Sequence, residues 1–116
     1  MEILKNIERS TVLTLKDMVA YGEKEVVSRT LSMTDGAGVT LFAFDAGEGI
    51  STHAAGGDAL VQVLEGTGEF TIDGVPHTVK EGESIVMPVG IPHAVHAPER
   101  FKMLLTVVFP AGGPVK

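Results

Sequence analysis

Four histidines, His53, His77, His93 and His96, are the side chains best suited to acid–base or metal chemistry in this chain of 116 residues. The chain has no cysteine, which excludes a disulfide scaffold, a thiolate zinc site, an iron–sulfur cluster and a cysteine nucleophile. Nucleophile elbows, phosphate-binding loops and the His-Glu-x-x-His zinc pattern are absent from the sequence. Any bound metal would therefore take nitrogen and oxygen ligands.

Two of these histidines follow glycine-rich turns. His53 comes after the turn at 45–49, and His93 comes after the segment 88–92. Pro92 disfavours helical angles at the residue before it, so the chain is expected to enter His93 in an extended conformation. Two histidines at the mouths of two strands could converge on one ion. They also fit a pair of turn histidines satisfied by backbone hydrogen bonds, which is the interpretation that the local sequence alone favours.

The elements that must position these side chains are short strands. Turn signals built on the 14 glycines recur mostly every ~8–12 residues between β-branched or apolar runs, which is typical of an all-β sandwich or barrel. Asp73-Gly74 predicts a hairpin, because both central residues of a type I′ turn need positive φ. The runs 39–44, 60–64 and 103–109 show little alternation, which indicates strands covered on both faces, by a second sheet or by another subunit.

One short helix is predicted near the N-terminus. Thr14 would cap its first turn, Asp17 would complete a capping box, and Leu13 and Met18 would form a hydrophobic staple. The segment ends by Gly22, so the helix has two turns at most and a structural role.

Charge and length limit the partners and the organisation. A net charge of −6 and a pI of about 5.1 argue against nucleic acid or an anionic membrane surface as the main partner. The start lacks the pattern of a signal peptide, and the longest apolar run is far short of the ~20 residues that span a bilayer, so we expect a cytoplasmic protein. The length predicts one domain over 1–116, with an N-terminal arm at 1–35 and a barrel at 39–109. Apolar sheet faces predict a homodimer.

Two segments resemble the two sequence motifs of the cupin superfamily. The first, 47–66, has a glycine, then five residues, then His53, and closes on a strand that ends at Gly66. The second, 82–93, has the order glycine, five residues, proline, one residue, glycine, two residues and His93. A short spacer separates them, as in compact microbial members. The resemblance implies an all-β, single-domain cupin of the double-stranded β-helix type, a jelly-roll-like barrel with a small-molecule pocket at one mouth.

The resemblance also implies a metal site, because typical cupins hold a divalent ion with three histidines and a glutamate. His53 and His93 match two of these histidines. The second histidine of the first motif falls on Ala55, and the glutamate falls on Ala59. The asparagine that often ends the second motif falls on Ala97. Two imidazoles alone hold a metal weakly, because a catalytic site normally has three protein ligands and an open position.

Asp58 is the candidate for the missing carboxylate, since the flexible Gly56-Gly57 before it could let it turn inward. A site of His53, His93 and Asp58 suits iron, manganese, zinc or nickel. Asp58 could equally be a solvated turn residue that opens a strand. His96 lies three residues after His93 and should face the other side of an extended strand, whereas His77 fits a structural role or the rim of the pocket.

Three classes of function follow from these residues. The first is a metal-dependent cupin enzyme that acts on a small organic molecule as a dioxygenase, isomerase or decarboxylase. The second is a non-catalytic sensor, carrier or storage cupin with a metal-free, partly apolar pocket, which the three alanines favour. The third is a structural dimer or partner-binding module.

Overall fold

A computed structural model describes residues 3–116 of the chain. A 3-10 turn at Leu15–Met18 precedes nine strands. The strands are β1 (Val26–Met33), β2 (Ala37–Phe44), β3 (Gly49–His53), β4 (Asp58–Glu65), β5 (Thr67–Ile72), β6 (Val75–Lys80), β7 (Ser84–Met87), β8 (His93–His96) and β9 (Phe101–Val108).

The strands form two antiparallel sheets that pack face to face. The larger sheet has the order β1-β2-β9-β4-β7, and the smaller sheet has the order β3-β8-β5-β6. Strands adjacent in sequence are often in different sheets, so the chain repeatedly crosses from one sheet to the other. This arrangement confirms the all-β, jelly-roll-like barrel that the turn spacing and the motifs predict.

The main core lies between the two sheets. Its largest fully buried side chains include Phe44, Phe70 and Phe101. The rings of Phe44 and Phe101 stack with centroids 4.5 Å apart, and Phe70 meets Phe101 edge to face at 6.1 Å. The predicted hairpin joins β5 to β6, with Asp73 at φ 50° and Gly74 at φ 80°. Positive φ at both positions is the condition for a type I′ turn.

The predicted N-terminal helix is wrong. The structure has a single 3-10 turn of four residues, and Thr14 makes no side-chain capping hydrogen bond. The backbone bond from Asp17 N–H to the Thr14 carbonyl closes the turn instead. A segment this short gains little from helix propagation, so packing of its side chains onto the sheet decides its shape. No helix within 3–116 is long and apolar enough to cross a membrane.

The N-terminal arm covers part of the outer face of the larger sheet. Alternation along β2 places Phe44 in the main core and Leu41 and Ala43 in a second cluster beneath the arm. The part of the arm before β1 contributes five partly or fully buried apolar side chains to it, Ile7, Leu15, Met18, Val19 and Tyr21. Both faces of β2 are therefore buried within one chain, which explains its continuous apolar run.

Polar contacts fix the arm to the sheet. Arg29 Nη1 donates to the Met18 carbonyl at 2.9 Å, and the nearly buried Lys102 Nζ donates to the Lys16 carbonyl at 2.6 Å. The Tyr21 hydroxyl donates to Glu65. Burial, and then this hydrogen bond to a carboxylate, raise the pKa of Tyr21. Arg29, Lys102 and Tyr21 thus each have a hydrogen-bond partner, as buried or partly buried polar groups require.

Candidate functional site

The structure brings His53 and His93 together at one end of the smaller sheet. His53 is the last residue of β3, His93 is the first residue of β8, and the two are directly opposite in the antiparallel register. Their ring centroids are 4.4 Å apart with the ring planes at 71°. The convergence of the two motif histidines is therefore a property of strand pairing between β3 and β8.

A bulge in β3 turns His53 to the inner face of the sheet. Ile50 pairs with Val95 and His53 pairs with His93, so three steps along β3 match two along β8. Without the extra residue, Ile50 and His53 would lie on opposite faces, because side chains alternate along a strand. Val95 and Ile50 both pack in the main core. The bulge thus places His53 on the inner face of the sheet, where ordinary alternation along β8 places His93.

Each imidazole is oriented by a backbone carbonyl two residues earlier in the chain. His53 Nδ1 lies 2.9 Å from the Ser51 oxygen, and His93 Nδ1 lies 3.1 Å from the Ile91 oxygen. A carbonyl oxygen can only accept, so Nδ1 carries the proton in both rings and Nε2 of the neutral ring carries the lone pair. Histidine metal ligands are commonly oriented by a hydrogen bond of this kind.

The two histidines differ in burial. His93 is 2% exposed, whereas His53 is exposed to solvent. Burial lowers the pKa of His93, and repulsion from the nearby His53 lowers it further, while the hydrogen bond to the Ile91 carbonyl opposes the shift. His93 is therefore neutral at neutral pH, and its Nε2 can accept a metal ion or a hydrogen bond.

The structure does not bring Asp58 to this pair. Asp58 alternates with the buried Ala59 and pairs with the exposed Val108, so it lies on the outer face of β4. Its Oδ1 accepts a hydrogen bond from the Val89 N–H at 2.8 Å. Among residues 3–116 no group of three or more His, Cys, Asp or Glu side chains is placed to hold a metal ion. Coordination by Asp58 stays a prediction, and it would require the start of β4 to turn over.

Comparison with known proteins supplies the family. The family model of the cupin domain matches residues 40–109, more than half of the chain and including both histidines. The chain belongs to the cupin family. No curated protein sequence matches this cupin significantly.

Solved structures agree with this assignment. A conserved protein of unknown function from Streptococcus pyogenes is 45% identical, with 95% of this chain and 96% of that chain covered and a TM-score of 0.92. A cupin superfamily protein from Desulfitobacterium hafniense is 29% identical, with 92% and 98% covered and a TM-score of 0.87. A salicylate 1,2-dioxygenase from Pseudaminobacter salicylatoxidans is 18% identical, with 72% and 25% covered and a TM-score of 0.67, and this likeness shows the fold alone.

Two of the three positions where the family resemblance puts a further polar residue are packed in this cupin. Ala59 is 1% exposed and Ala97 is fully buried, and both belong to the main core. Ala55 lies in the loop between β3 and β4, where its carbonyl accepts the Gly90 N–H at 3.1 Å. Two of the three missing polar residues are thus replaced by core packing, which leaves the histidine pair at the rim of an apolar interior.

The two remaining histidines lie apart from the pair. His96 is exposed on the outer face of β8, opposite Glu69 of β5, as the spacing from His93 predicts. His77 of β6 pairs with the buried Phe70, so register places it on the inner face of the smaller sheet, although it is exposed. The proline before His77 gives no signal of this orientation. The sequence also gives no signal for the orienting carbonyls of Ser51 and Ile91, because only the backbone conformation brings a carbonyl oxygen to the imidazole ring.

Proposed function

We propose that this cupin binds a divalent metal ion through Nε2 of His53 and His93, together with a small organic molecule that completes the coordination of the metal. The observation that carries the proposal is the state of the two rings. Both Nδ1 atoms already donate to backbone carbonyls, so two adjacent rings each keep one nitrogen lone pair. Imidazole nitrogen suits iron, manganese, zinc and nickel.

The donor set fits such an ion only in part. Two imidazoles supply fewer protein ligands than the three of a usual catalytic site, so the other positions fall to water or to oxygen atoms of the bound molecule. An ion held by His53 and His93 would supply Lewis-acid polarisation of an oxygen of the bound molecule. The proposed reaction classes are those of a dioxygenase, an isomerase or a decarboxylase. The salicylate dioxygenase named above supports these classes only through its fold.

The chain's own residues would favour binding in two ways. Burial keeps His93 unprotonated at neutral pH, so no proton has to be displaced from it when an ion binds. His53 is exposed and directly opposite, so it can meet a ligand that arrives from solvent. Ile72 of β5 pairs with His93 on its other side and packs against the core. This apolar neighbour shields one flank of the site from water.

A metal-free cupin that binds a small molecule without catalysis is the second candidate. The packing of Ala59 and Ala97 favours it, because alanine replaces polar side chains at these positions and leaves apolar walls. This candidate predicts ligand binding that does not depend on a chelator. The first candidate predicts that a chelator abolishes binding of the organic molecule.

Metal analysis of protein purified without an affinity tag tests the proposal. We expect one ion per chain after incubation with Mn²⁺, Fe²⁺, Zn²⁺ or Ni²⁺, and a loss of affinity of roughly tenfold or more in His53→Ala and in His93→Ala. His96→Ala is the matched control, since it removes an imidazole from the outer face and should leave the affinity unchanged. Equal metal content in the native protein and in the His53→Ala/His93→Ala double variant overturns the proposal.

The predicted homodimer is a further proposal. The arm covers only part of the larger sheet, and Leu60 of β4 and Val86 of β7, which pair with each other, remain exposed on its outer face. Light scattering of the native protein is expected to give twice the mass of the chain. Leu60→Ser/Val86→Ser should shift the mass towards that of one chain, and a native monomer at micromolar concentration contradicts the proposal.

A further inference from the structure

A cavity of about 310 Å³ lies outside the barrel, at the end of the larger sheet. It is bounded by the start of β4, the loop before β8, the end of β9 and the C-terminal segment. Its lining residues are Gly57, Asp58, Val89, Val108, Phe109, Pro110 and Val115. The histidine pair does not line this cavity, and its volume is within the usual range for small-molecule sites.

The walls of the cavity bring together several exposed apolar side chains. Val108 is 57% exposed, Val115 is 54% exposed and Val89 is 38% exposed. All three converge on this cavity, and Phe109 adds an aromatic ring to the wall. A contiguous exposed apolar surface in a folded protein commonly marks a binding site.

A single carboxylate interrupts the apolar wall. Asp58 Oδ1 accepts the Val89 N–H at 2.8 Å, which fixes the side chain in place. Oδ2 makes no hydrogen bond and no ion pair with any residue in the part of the chain that the structure describes. The lining contains no lysine, arginine or histidine. A fixed anionic oxygen beside apolar walls is complementary to a cation that carries an apolar group.

Close backbone packing holds the walls in position. The Val115 N–H donates to the Gly56 carbonyl at 2.8 Å and attaches the C-terminal segment to the loop before β4. A Cβ atom on Gly57 would clash with the Val108 carbonyl oxygen, and because this oxygen belongs to the backbone, no movement of a side chain can relieve the clash. Glycine therefore allows the strand end and the loop to approach closely, and the cavity exists before any ligand arrives.

We propose that this cavity binds a small organic cation, with its ammonium group beside Asp58 Oδ2 and its apolar part against the valines and Phe109. The site is distinct from the histidine pair, because Asp58 is on the outer face of β4 and the imidazoles face the barrel. The proposal does not depend on metal binding by His53 and His93. In this proposal Asp58 recognises the charge of the ammonium group, and the valines recognise the shape of the apolar part of the ligand.

Titration of isotope-labelled, metal-free protein with benzylammonium, followed by amide chemical shifts in NMR, tests the proposal. Benzyl alcohol is the neutral comparison ligand of similar size. We expect benzylammonium to shift the amides of Gly57, Val89 and Phe109 and to bind roughly tenfold more tightly than benzyl alcohol, since a charge-assisted contact is about twice as strong as a neutral one. Equal affinities for the two ligands, or shifts confined to other parts of the molecule, overturn it.

Asp58→Asn removes the charge and keeps an oxygen that can accept the Val89 N–H, so the wall should stay in place. In this variant we expect the preference for benzylammonium to disappear, while binding of benzyl alcohol is unchanged. Asp73→Asn is the matched control, because it makes the same charge change in the β5–β6 turn, where asparagine tolerates the positive φ. Loss of the preference in Asp73→Asn as well indicates non-specific attraction to an acidic chain and overturns the proposal.

Discussion

The histidine pair and the Asp58 cavity are connected by one short loop, 54–57, yet they provide different features for binding a ligand. The pair has two oriented imidazole nitrogens, whereas Ala59 and Ala97, at positions where the family resemblance puts polar residues, are packed in the main core. The cavity has open space with apolar walls and one carboxylate. In a complete metal-dependent binding site, the metal ligands line the same space that the bound molecule occupies. In this cupin the histidine nitrogens and the open cavity are on different faces of the barrel, so each region can be tested without disturbing the other.

The largest effect is expected for Ala59→Glu, which tests how closely the core is packed where the family resemblance puts a glutamate ligand. A carboxylate at this buried position lacks a partner, so the free energy of unfolding should fall by about 3–5 kcal/mol in metal-free buffer. If His53 and His93 bind Mn²⁺, added Mn²⁺ should restore part of this loss, because the new carboxylate gains a cation.

Ala46→Glu is the control for that change. It makes the same substitution at an exposed position in the turn between β2 and β3 and should alter the free energy of unfolding by no more than about 0.5 kcal/mol. Urea denaturation measures both variants. If Ala59→Glu is as stable as the native protein without metal, the space around position 59 is open. The packed core and the open cavity would then no longer differ.

Gly57→Ala tests the wall of the cavity. Its Cβ would meet the Val108 carbonyl, so we expect a loss of about 1–3 kcal/mol in the free energy of unfolding as the strand end is forced outward. In Gly36→Ala the nearest atom, Thr34 Oγ1, is 3.8 Å away, and this variant should unfold like the native protein. Thermal unfolding of the two variants side by side decides between a tightly built wall and a loose one.

Replacing each histidine by alanine separates the buried ring from the exposed one. His93→Ala leaves the Ile91 carbonyl without its donor and empties a buried position, so we expect a loss of about 1–2 kcal/mol in metal-free buffer. His53→Ala removes an exposed ring and should change the free energy of unfolding by less than about 0.5 kcal/mol. Equal losses in the two variants would contradict the difference in burial.

The smallest effect is on the pH dependence of stability. The pKa of His93 is lowered in the folded protein, chiefly by burial, so below the unfolded value of about 6.5 the unfolded chain binds more protons than the folded one. The stabilisation that neutral His93 contributes is therefore complete above that pH and is lost as the pH falls. The free energy of unfolding should change with a slope below about 1.4 kcal/mol per pH unit. Denaturant unfolding at pH 7.5 and 5.5 should show a steeper fall in the native protein than in His93→Ala. Parallel pH profiles of the two proteins would show that His93 does not contribute to the pH dependence of stability.

The sequence carries most of the information on the barrel. Glycine turns, the Asp73-Gly74 hairpin and apolar runs are local signals, because turn conformation depends on the residues of the turn itself. The prediction of an N-terminal helix was wrong because capping residues specify a helix only when the segment is long enough to propagate. In this short segment, side-chain packing on the sheet dominates. The continuous apolar run of β2 correctly indicates burial on both faces, yet it does not distinguish a second subunit from the chain's own arm.

The sequence by itself determined the family, the strands, the two histidines and the alanines that stand in place of further ligands. Only the tertiary structure decided which side of each strand these residues face. The bulge in β3 turns His53 towards His93, and plain alternation turns Asp58 away from them. A shift of one residue in register exchanges the two faces of a strand, and the pairing that sets register is made with distant parts of the chain. For that reason the two histidines proposed to bind a metal ion can be found from sequence motifs, whereas the cavity at Asp58 is visible only in the folded protein.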